Sequence, residues 1–211
     1  MEKIRIKKPL DLHKFNTKIN KIMLNWKIII PTVISVSGIF AGALTAKGEG
    51  AFYYGIIPYI QKFLIKPENQ TNYASLIIYL LVPTLFAVAI FFSGLSVYGN
   101  VTVNLIPFTF SFASGLITYF LFQSYTLKGL GYIVIMFLPY AVLSLLALIL
   151  MSAESIDMSQ VLLKKLSRTK RMSEYSFNIY YKNCIKSYIL IIIAAIIKTI
   201  IDSLFVGLFI F

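Results

Sequence analysis

The chain contains a run of 59 residues, from Asn69 to Leu127, without a single Asp, Glu, Lys or Arg. Similar uncharged runs extend from Ile28 to Ala46 and from Gly129 to Ala153. A helix that crosses the roughly 30 Å hydrocarbon core of a bilayer needs about 20 apolar residues without unpaired charge. The composition, 58% hydrophobic and 13% charged, compares with about 45–50% and about 25% in soluble domains. We therefore predict a multi-pass membrane protein.

The uncharged runs divide into five predicted membrane-spanning helices. The 59-residue run is too long for one crossing, and residues Ser96 to Asn100 supply a turn because Gly and Asn accept the backbone angles that end a helix. A further apolar stretch, from Ser187 to Phe211, is interrupted only by Lys198 and Asp202. The predicted fold class is all-α, a polytopic helix bundle. Its spans are expected at about 28–46, 76–95, 101–123, 129–152 and 187–209.

The distribution of basic residues predicts the orientation of the bundle. Residues 1–27 carry eight Lys and Arg and the predicted loop 154–186 carries seven, whereas the loop from Lys47 to Lys66 carries three. Basic residues concentrate in the cytoplasmic loops of membrane proteins. We therefore expect a cytoplasmic N-terminus and an extracytoplasmic C-terminus. This arrangement accounts for the net charge of +12 without binding of nucleic acid.

The chain is expected to consist of a basic cytoplasmic segment, residues 1–27, and a single membrane domain, residues 28–211. Residues 51–66 are rich in Tyr and Phe, which partition to the headgroup region, so they are predicted to form an outer interfacial segment. The basic cytoplasmic loop 154–186 contains a cluster of cations that we interpret as a contact with anionic lipids, with an acidic cytoplasmic partner as the alternative. This basic patch consists of Lys164, Lys165, Arg168, Lys170 and Arg171.

Two patterns of small residues are typical of close helix packing in membranes. Gly38 and Gly42 form a G-x-x-x-G motif, which removes side-chain bulk from one helix face. Ser111 and Gly115, also four residues apart, give the third predicted span a second small face. We interpret both faces as helix contacts within one chain, with a homo-oligomer interface as the alternative.

Lys198 and Asp202 are the only charged residues inside a predicted span, and their spacing of four residues places them on one helix face. Either residue alone would cost about 2.5–3.5 kcal/mol on membrane-insertion scales. We therefore interpret them as a structural ion pair directed into the bundle. A contact with a partner helix and a proton path are the alternatives.

The predicted spans contain no evident catalytic residues. The single histidine, His13, precedes the first span, so neither a Ser–His pair nor a histidine metal site is expected inside the bundle. The single cysteine, Cys184, excludes an intramolecular disulfide and a cysteine metal cluster. We expect no enzymatic activity, no cofactor and no bound metal.

Seven short motifs follow one another along the chain. They are Gly38-Ile39-Phe40-Ala41-Gly42-Ala43, Phe52-Tyr53-Tyr54, Phe91-Phe92-Ser93-Gly94-Leu95-Ser96-Val97-Tyr98-Gly99, Gly115-Leu116, Lys128-Gly129, Leu138-Pro139 and Ala194-Ala195. Together they resemble the stage II sporulation protein M family of five-span bacterial membrane proteins.

This resemblance implies a scaffold in the bacterial cytoplasmic membrane that recruits and activates peptidoglycan hydrolases during engulfment of the forespore. Relatives of the family also occur beside ATP-binding-cassette genes, which implies an alternative function. In that alternative the chain is the membrane subunit of a peptide (circular bacteriocin) export or immunity system, with an ATP-binding-cassette ATPase as its partner.

Overall fold

The computed structural model describes residues 26–48, 55, 72–166 and 176–205, and within these ranges the regular secondary structure is helical, with no strand. In chain order the elements are α1 (Trp26–Lys47), α2 (Asn72–Gly94), α3 (Gly99–Tyr132), a π-helical turn (Ile133–Phe137), α4 (Leu138–Leu166) and α5 (Phe177–Phe205). The all-α prediction is confirmed for this part of the chain. Residues 1–25 and, apart from Gly55, the predicted outer segment 51–66 lie outside the described residues.

Four helical stretches of the described residues are long and apolar enough to cross a membrane. They are Trp26–Lys47, Tyr73–Gly94, Gly99–Leu166 and Phe177–Phe205. The third stretch, of 68 residues, joins the third and fourth spans predicted from the sequence. These stretches indicate an integral membrane protein.

The 68-residue stretch is not one continuous helix, because Thr126 interrupts it with φ 47° and ψ −119°. A β-branched residue rarely adopts a positive φ, so this position marks a sharp local change in the backbone. Beyond the break the chain returns along α3. The Ser152 hydroxyl of α4 donates a hydrogen bond to the Val103 carbonyl oxygen near the start of α3, at 3.4 Å. α3 and α4 therefore lie side by side and run in opposite directions.

Helices α4 and α5 are longer than the sequence suggested. α4 continues to Leu166 and α5 begins at Phe177, so most of the predicted loop 154–186 is helical. The predicted membrane spans, 129–152 and 187–209, stop short of the charged residues Glu154 and Lys186. Charge excludes a residue from hydrocarbon but does not interrupt backbone hydrogen bonding, so a helix can continue beyond the membrane core.

α1 packs mainly against α3, and glycines on both helices allow the close approach. A β-carbon at Gly38 would lie 2.8 Å from the Phe108 carbonyl oxygen, and one at Gly42 or Gly115 would collide with the backbone of the opposite helix. Ser111 is buried beside Gly38. The structure thus places Gly38, Gly42, Ser111 and Gly115 at one interface within the chain.

Hydroxyl groups from α4 and α5 bond to the end of α2. The last four carbonyl groups of a helix have no donor within that helix. One of them, the Phe91 carbonyl oxygen, accepts a hydrogen bond from the Tyr180 hydroxyl at 2.8 Å, and the Ser155 hydroxyl donates to the neighbouring Ile90 carbonyl oxygen at 3.3 Å. These contacts join α2, α4 and α5, which together with α3 form the largest buried cluster of the described residues.

Replacing Gly42 by Ala is expected to lower the melting temperature of the detergent-solubilised protein, because the added methyl group would push α1 away from α3. Overpacking of this kind typically costs about 1–3 kcal/mol. Gly48→Ala is the matched control, since a β-carbon at Gly48 would have its nearest neighbour at 3.4 Å. Thermal unfolding in one detergent compares the two variants. Equal melting temperatures would contradict a tight α1–α3 interface.

Candidate functional site

Lys198 and Asp202 form an ion pair inside the helix bundle. Lys198 Nζ lies 2.5 Å from Asp202 Oδ1, and the two side chains are 0% and 2% exposed. In the part of the chain that the structure describes, these are the only buried charged residues. A lone buried charge is strongly unfavourable, so each side chain depends on the other for neutralisation.

Two tyrosines from other helices contact this ion pair, and a third packs against one of them. Lys198 Nζ lies 5.0 Å from the centre of the Tyr79 ring and 5.1 Å from the centre of the Tyr132 ring, within the range of cation–π attraction. Lys198 also donates a hydrogen bond to the Tyr132 hydroxyl at 3.4 Å. The Tyr140 ring packs 5.9 Å from the Tyr79 ring, and its hydroxyl donates to the Tyr79 carbonyl oxygen at 2.9 Å. We call these five residues the tyrosine–ion pair site.

The π-helical turn allows Tyr132 and Tyr140 to face the same neighbours. Tyr140 follows Tyr132 by eight residues, which at about 100° per residue would leave the two side chains about 80° apart in an α-helix. The Leu138 N–H bonds to the Ile133 carbonyl, five residues back. This turn contains one residue more than an α-helical turn. The two tyrosines are therefore separated by the equivalent of about seven α-helical residues, and their side chains differ in direction by about 20°.

Small residues on α5 make room for the aromatic rings. Ala194 and Ala195 are fully buried, in one cluster with Tyr79 and Tyr140. Ala194 lies one helical turn before Lys198, so the aromatic rings pack on the same side of α5 that carries the ion pair. A larger side chain at either alanine would separate α5 from α2 and α4.

The Asp202 carboxylate also interacts with a tyrosine of α2. Asp202 Oδ2 is buried and receives no hydrogen bond of ordinary length and angle from the described residues, but the Tyr79 side chain interacts with the carboxylate both electrostatically and as a hydrogen-bond donor. A buried acceptor without a donor is unfavourable by about 1–3 kcal/mol, and by more when the acceptor is charged. Stabilisation of the carboxylate therefore involves Tyr79 as well as Lys198.

The basic patch predicted from the sequence is described only in part. Lys164 and Lys165 lie exposed in the last turn of α4, and Arg168, Lys170 and Arg171 lie outside the described residues. At the same end of the bundle, Lys27 of α1 forms an ion pair with Asp157 of α4. Sequence reasoning missed this pair because the two residues are far apart in the chain and both lie outside the predicted spans.

The three tyrosines were also missed from the sequence. Tyr79 lies on α2, whereas Tyr132 and Tyr140 lie beyond the break at Thr126. No spacing rule connects Tyr79 to either of the other two. The proline at position 139 was the one available signal, because a proline within a helix disturbs the hydrogen bonding of the preceding turn.

The model of the family described as stage II sporulation protein M matches residues 31–203. The chain belongs to this family. The match begins in α1, ends in α5 beyond Asp202, and therefore covers the small-residue interface and the tyrosine–ion pair site. Family membership confirms the resemblance seen in the sequence motifs and identifies a sporulation-related membrane protein; no enzymatic family is indicated. No curated protein and no solved structure matches the chain.

The site itself contains the groups of an ion pair rather than those of a metal centre. Across the described ranges, no group of three or more His, Cys, Asp and Glu residues could hold a metal ion. Cys184 is a buried free cysteine in α5. What the site can do chemically is hold opposite charges together in an apolar bundle.

Removing one member of the ion pair is expected to destabilise the protein more than removing both. Lys198→Met or Asp202→Leu alone leaves an uncompensated buried charge, which costs about 3–5 kcal/mol. The double variant should recover most of this loss, because well-packed apolar side chains often replace a buried ion pair without net cost. Unfolding of the wild type and the three variants in one detergent gives the coupling energy. Additive losses would show that the two residues do not depend on each other.

Proposed function

We propose that the chain is a non-enzymatic scaffold that crosses the bacterial cytoplasmic membrane five times and recruits peptidoglycan hydrolases during engulfment of the forespore. The observation that carries this proposal is the family match over residues 31–203. The family makes the protein sporulation-related, and the hydrolase partners are the further step that we propose. The match does not support the alternative of an export or immunity subunit.

The use of the buried polar groups supports a scaffold. Tyr180 and Ser155 bond to backbone carbonyls of α2, and Lys198 is neutralised by Asp202. These groups stabilise the bundle rather than face an open cleft where a substrate would bind. A bundle of this kind acts through its outer surfaces, by positioning other proteins.

The length of the Gly99–Leu166 stretch supports five crossings. A straight helix of 68 residues would extend about 100 Å, more than three times the thickness of the hydrocarbon core. The break at Thr126 and the hydrogen bond from Ser152 to Val103 divide the stretch into two antiparallel halves. We therefore propose that these halves cross the membrane separately, which with α1, α2 and α5 gives five crossings.

The proposed orientation places the N-terminal end of α1 in the cytoplasm. The described basic residues divide unequally between the two ends of the bundle, which favours this orientation because cytoplasmic ends are the more basic. One end carries Lys27, Lys164, Lys165, Lys182 and Lys186, whereas the other carries Lys47 and Lys128.

The topology can be measured with single cysteines in a Cys184→Ser background. The native thiol is a poor reporter because Cys184 is only 3% exposed, whereas Lys128 and Lys165 are both exposed. Lys128→Cys is expected to react with a membrane-impermeant maleimide in intact cells, and Lys165→Cys only after permeabilisation. The opposite pattern would overturn the orientation, and reaction of both in intact cells would overturn the fourth crossing.

The partner proposal is tested by purifying the tagged full-length protein in mild detergent from its native host, grown vegetatively and under sporulating conditions. Mass spectrometry is expected to find peptidoglycan hydrolases enriched at least several-fold in the sporulating sample. A variant with Gln at the five positions of the basic patch is the matched control. It should retain the hydrolases, because these act on the outer side of the membrane.

Two results would contradict the scaffold proposal. Loss of the hydrolases from the patch variant, with the topology intact, would place their attachment on the cytoplasmic side. Recovery of an ATP-binding-cassette ATPase from vegetative cells, and its loss from the patch variant, would instead favour the export or immunity function.

A further inference from the structure

A cavity of about 240 Å³ lies between α1, α4 and α5, at the end of the bundle opposite to the tyrosine–ion pair site. Its lining contains two cations, two carboxylates, an amide and a hydroxyl group, and apolar residues of α1 and α4 complete it. The polar lining residues are Lys27, Glu154, Asp157, Asn183, Lys186 and Ser187. We call this space the interfacial cavity.

Contacts among these polar residues hold their side chains in place. Lys27 forms an ion pair with Asp157. The Asn183 amide donates to Glu154 Oε2 at 3.0 Å, and Lys186 donates to Asn183 Oδ1 at 3.4 Å. The cavity therefore presents both signs of charge, with no net formal charge.

The interfacial cavity lies at the depth where three helices change from charged to apolar. Lys27 is the last charged residue before the uncharged run of α1, and Lys186 is the last before the apolar run of α5. Glu154 is the first charged residue after the uncharged run of α4. Because these three boundaries meet at one cavity, the cavity lies between the hydrocarbon core and the lipid headgroups.

We propose that the interfacial cavity binds the headgroup of a phosphatidylethanolamine molecule. The phosphate of this lipid complements Lys27 and Lys186, and its primary ammonium group can donate hydrogen bonds to Glu154 and Asp157. Phosphatidylcholine carries the same charges but has no N–H donor, and phosphatidylglycerol has no cation to meet the carboxylates. The mixed charge of the cavity therefore favours phosphatidylethanolamine over both.

Native mass spectrometry of the full-length protein tests this proposal. The delipidated protein in detergent is given equal amounts of phosphatidylethanolamine, phosphatidylcholine and phosphatidylglycerol with the same acyl chains. We expect the protein to retain one phosphatidylethanolamine molecule and to bind it about tenfold more tightly than phosphatidylcholine. A tenfold difference in affinity is what the loss of one charge-assisted hydrogen bond would produce. Retention should fall in steps through the N-methyl and N,N-dimethyl lipids, because each methyl group removes a donor.

Variants that remove charges test whether the preference for phosphatidylethanolamine arises in the interfacial cavity. The double variant Glu154→Gln and Asp157→Asn should lose most of the preference for phosphatidylethanolamine over phosphatidylcholine, because neutral amides accept weaker hydrogen bonds from an ammonium group. Lys182→Gln is the control, since Lys182 is exposed at the same end but belongs neither to the basic patch nor to the lining of the cavity. The control should keep the preference.

The proposal is overturned if the wild type retains phosphatidylcholine as well as phosphatidylethanolamine, or retains phosphatidylglycerol more tightly than either. It is also overturned if no phospholipid remains bound. The lipid series on the wild type decides the question even if the double variant fails to fold. None of these results depends on the scaffold proposal.

Discussion

Inside a bilayer no water is available to pair with polar groups, so the buried polar groups of this bundle depend on the side chains that pack around them. Carbonyl groups near the end of α2 accept hydrogen bonds from Tyr180 and Ser155, which belong to α5 and α4. Lys198 is paired with Asp202 of the same helix and lies against two tyrosine rings from other helices. The contacts at the end of α2 and the aromatic surroundings of the ion pair are therefore products of helix packing.

The two ends of the bundle use charge in different ways. Around Lys198 the charges are enclosed by tyrosine rings and alanines, so the ion pair contributes to the position of α5 within the bundle. Around Lys27 the charges border a cavity at the edge of the apolar region, where a molecule from the membrane can reach them. The end that contains Lys198 thus favours a fixed contact between helices, and the end that contains Lys27 favours binding of a lipid headgroup. Both arrangements join helices that are distant in the chain.

The parts of this structure that could be predicted are those set by composition and local spacing. Uncharged runs identified the helices, and the spacing of Lys198 and Asp202 placed both residues on one face. The tyrosines could not be predicted, because their position depends on a π-helical turn that adds one residue to α-helical periodicity. The helix ends near Leu166 and Phe177 could not be predicted, because charge limits the apolar spans, whereas backbone hydrogen bonding continues past Glu154 and Lys186.

The contact between α1 and α3 has a consequence for biosynthesis. The glycine face of α1 has its partner not in the next helix but in α3, where Gly42 meets the backbone of Phe112. Seventy residues separate these two positions, and at about 5–20 residues per second the ribosome needs on the order of 4–14 s to make that length of chain. During this interval the exposed glycines of α1 must be covered by lipid or by the insertion machinery, so the first helix enters the membrane well before its closest packing partner has been synthesised.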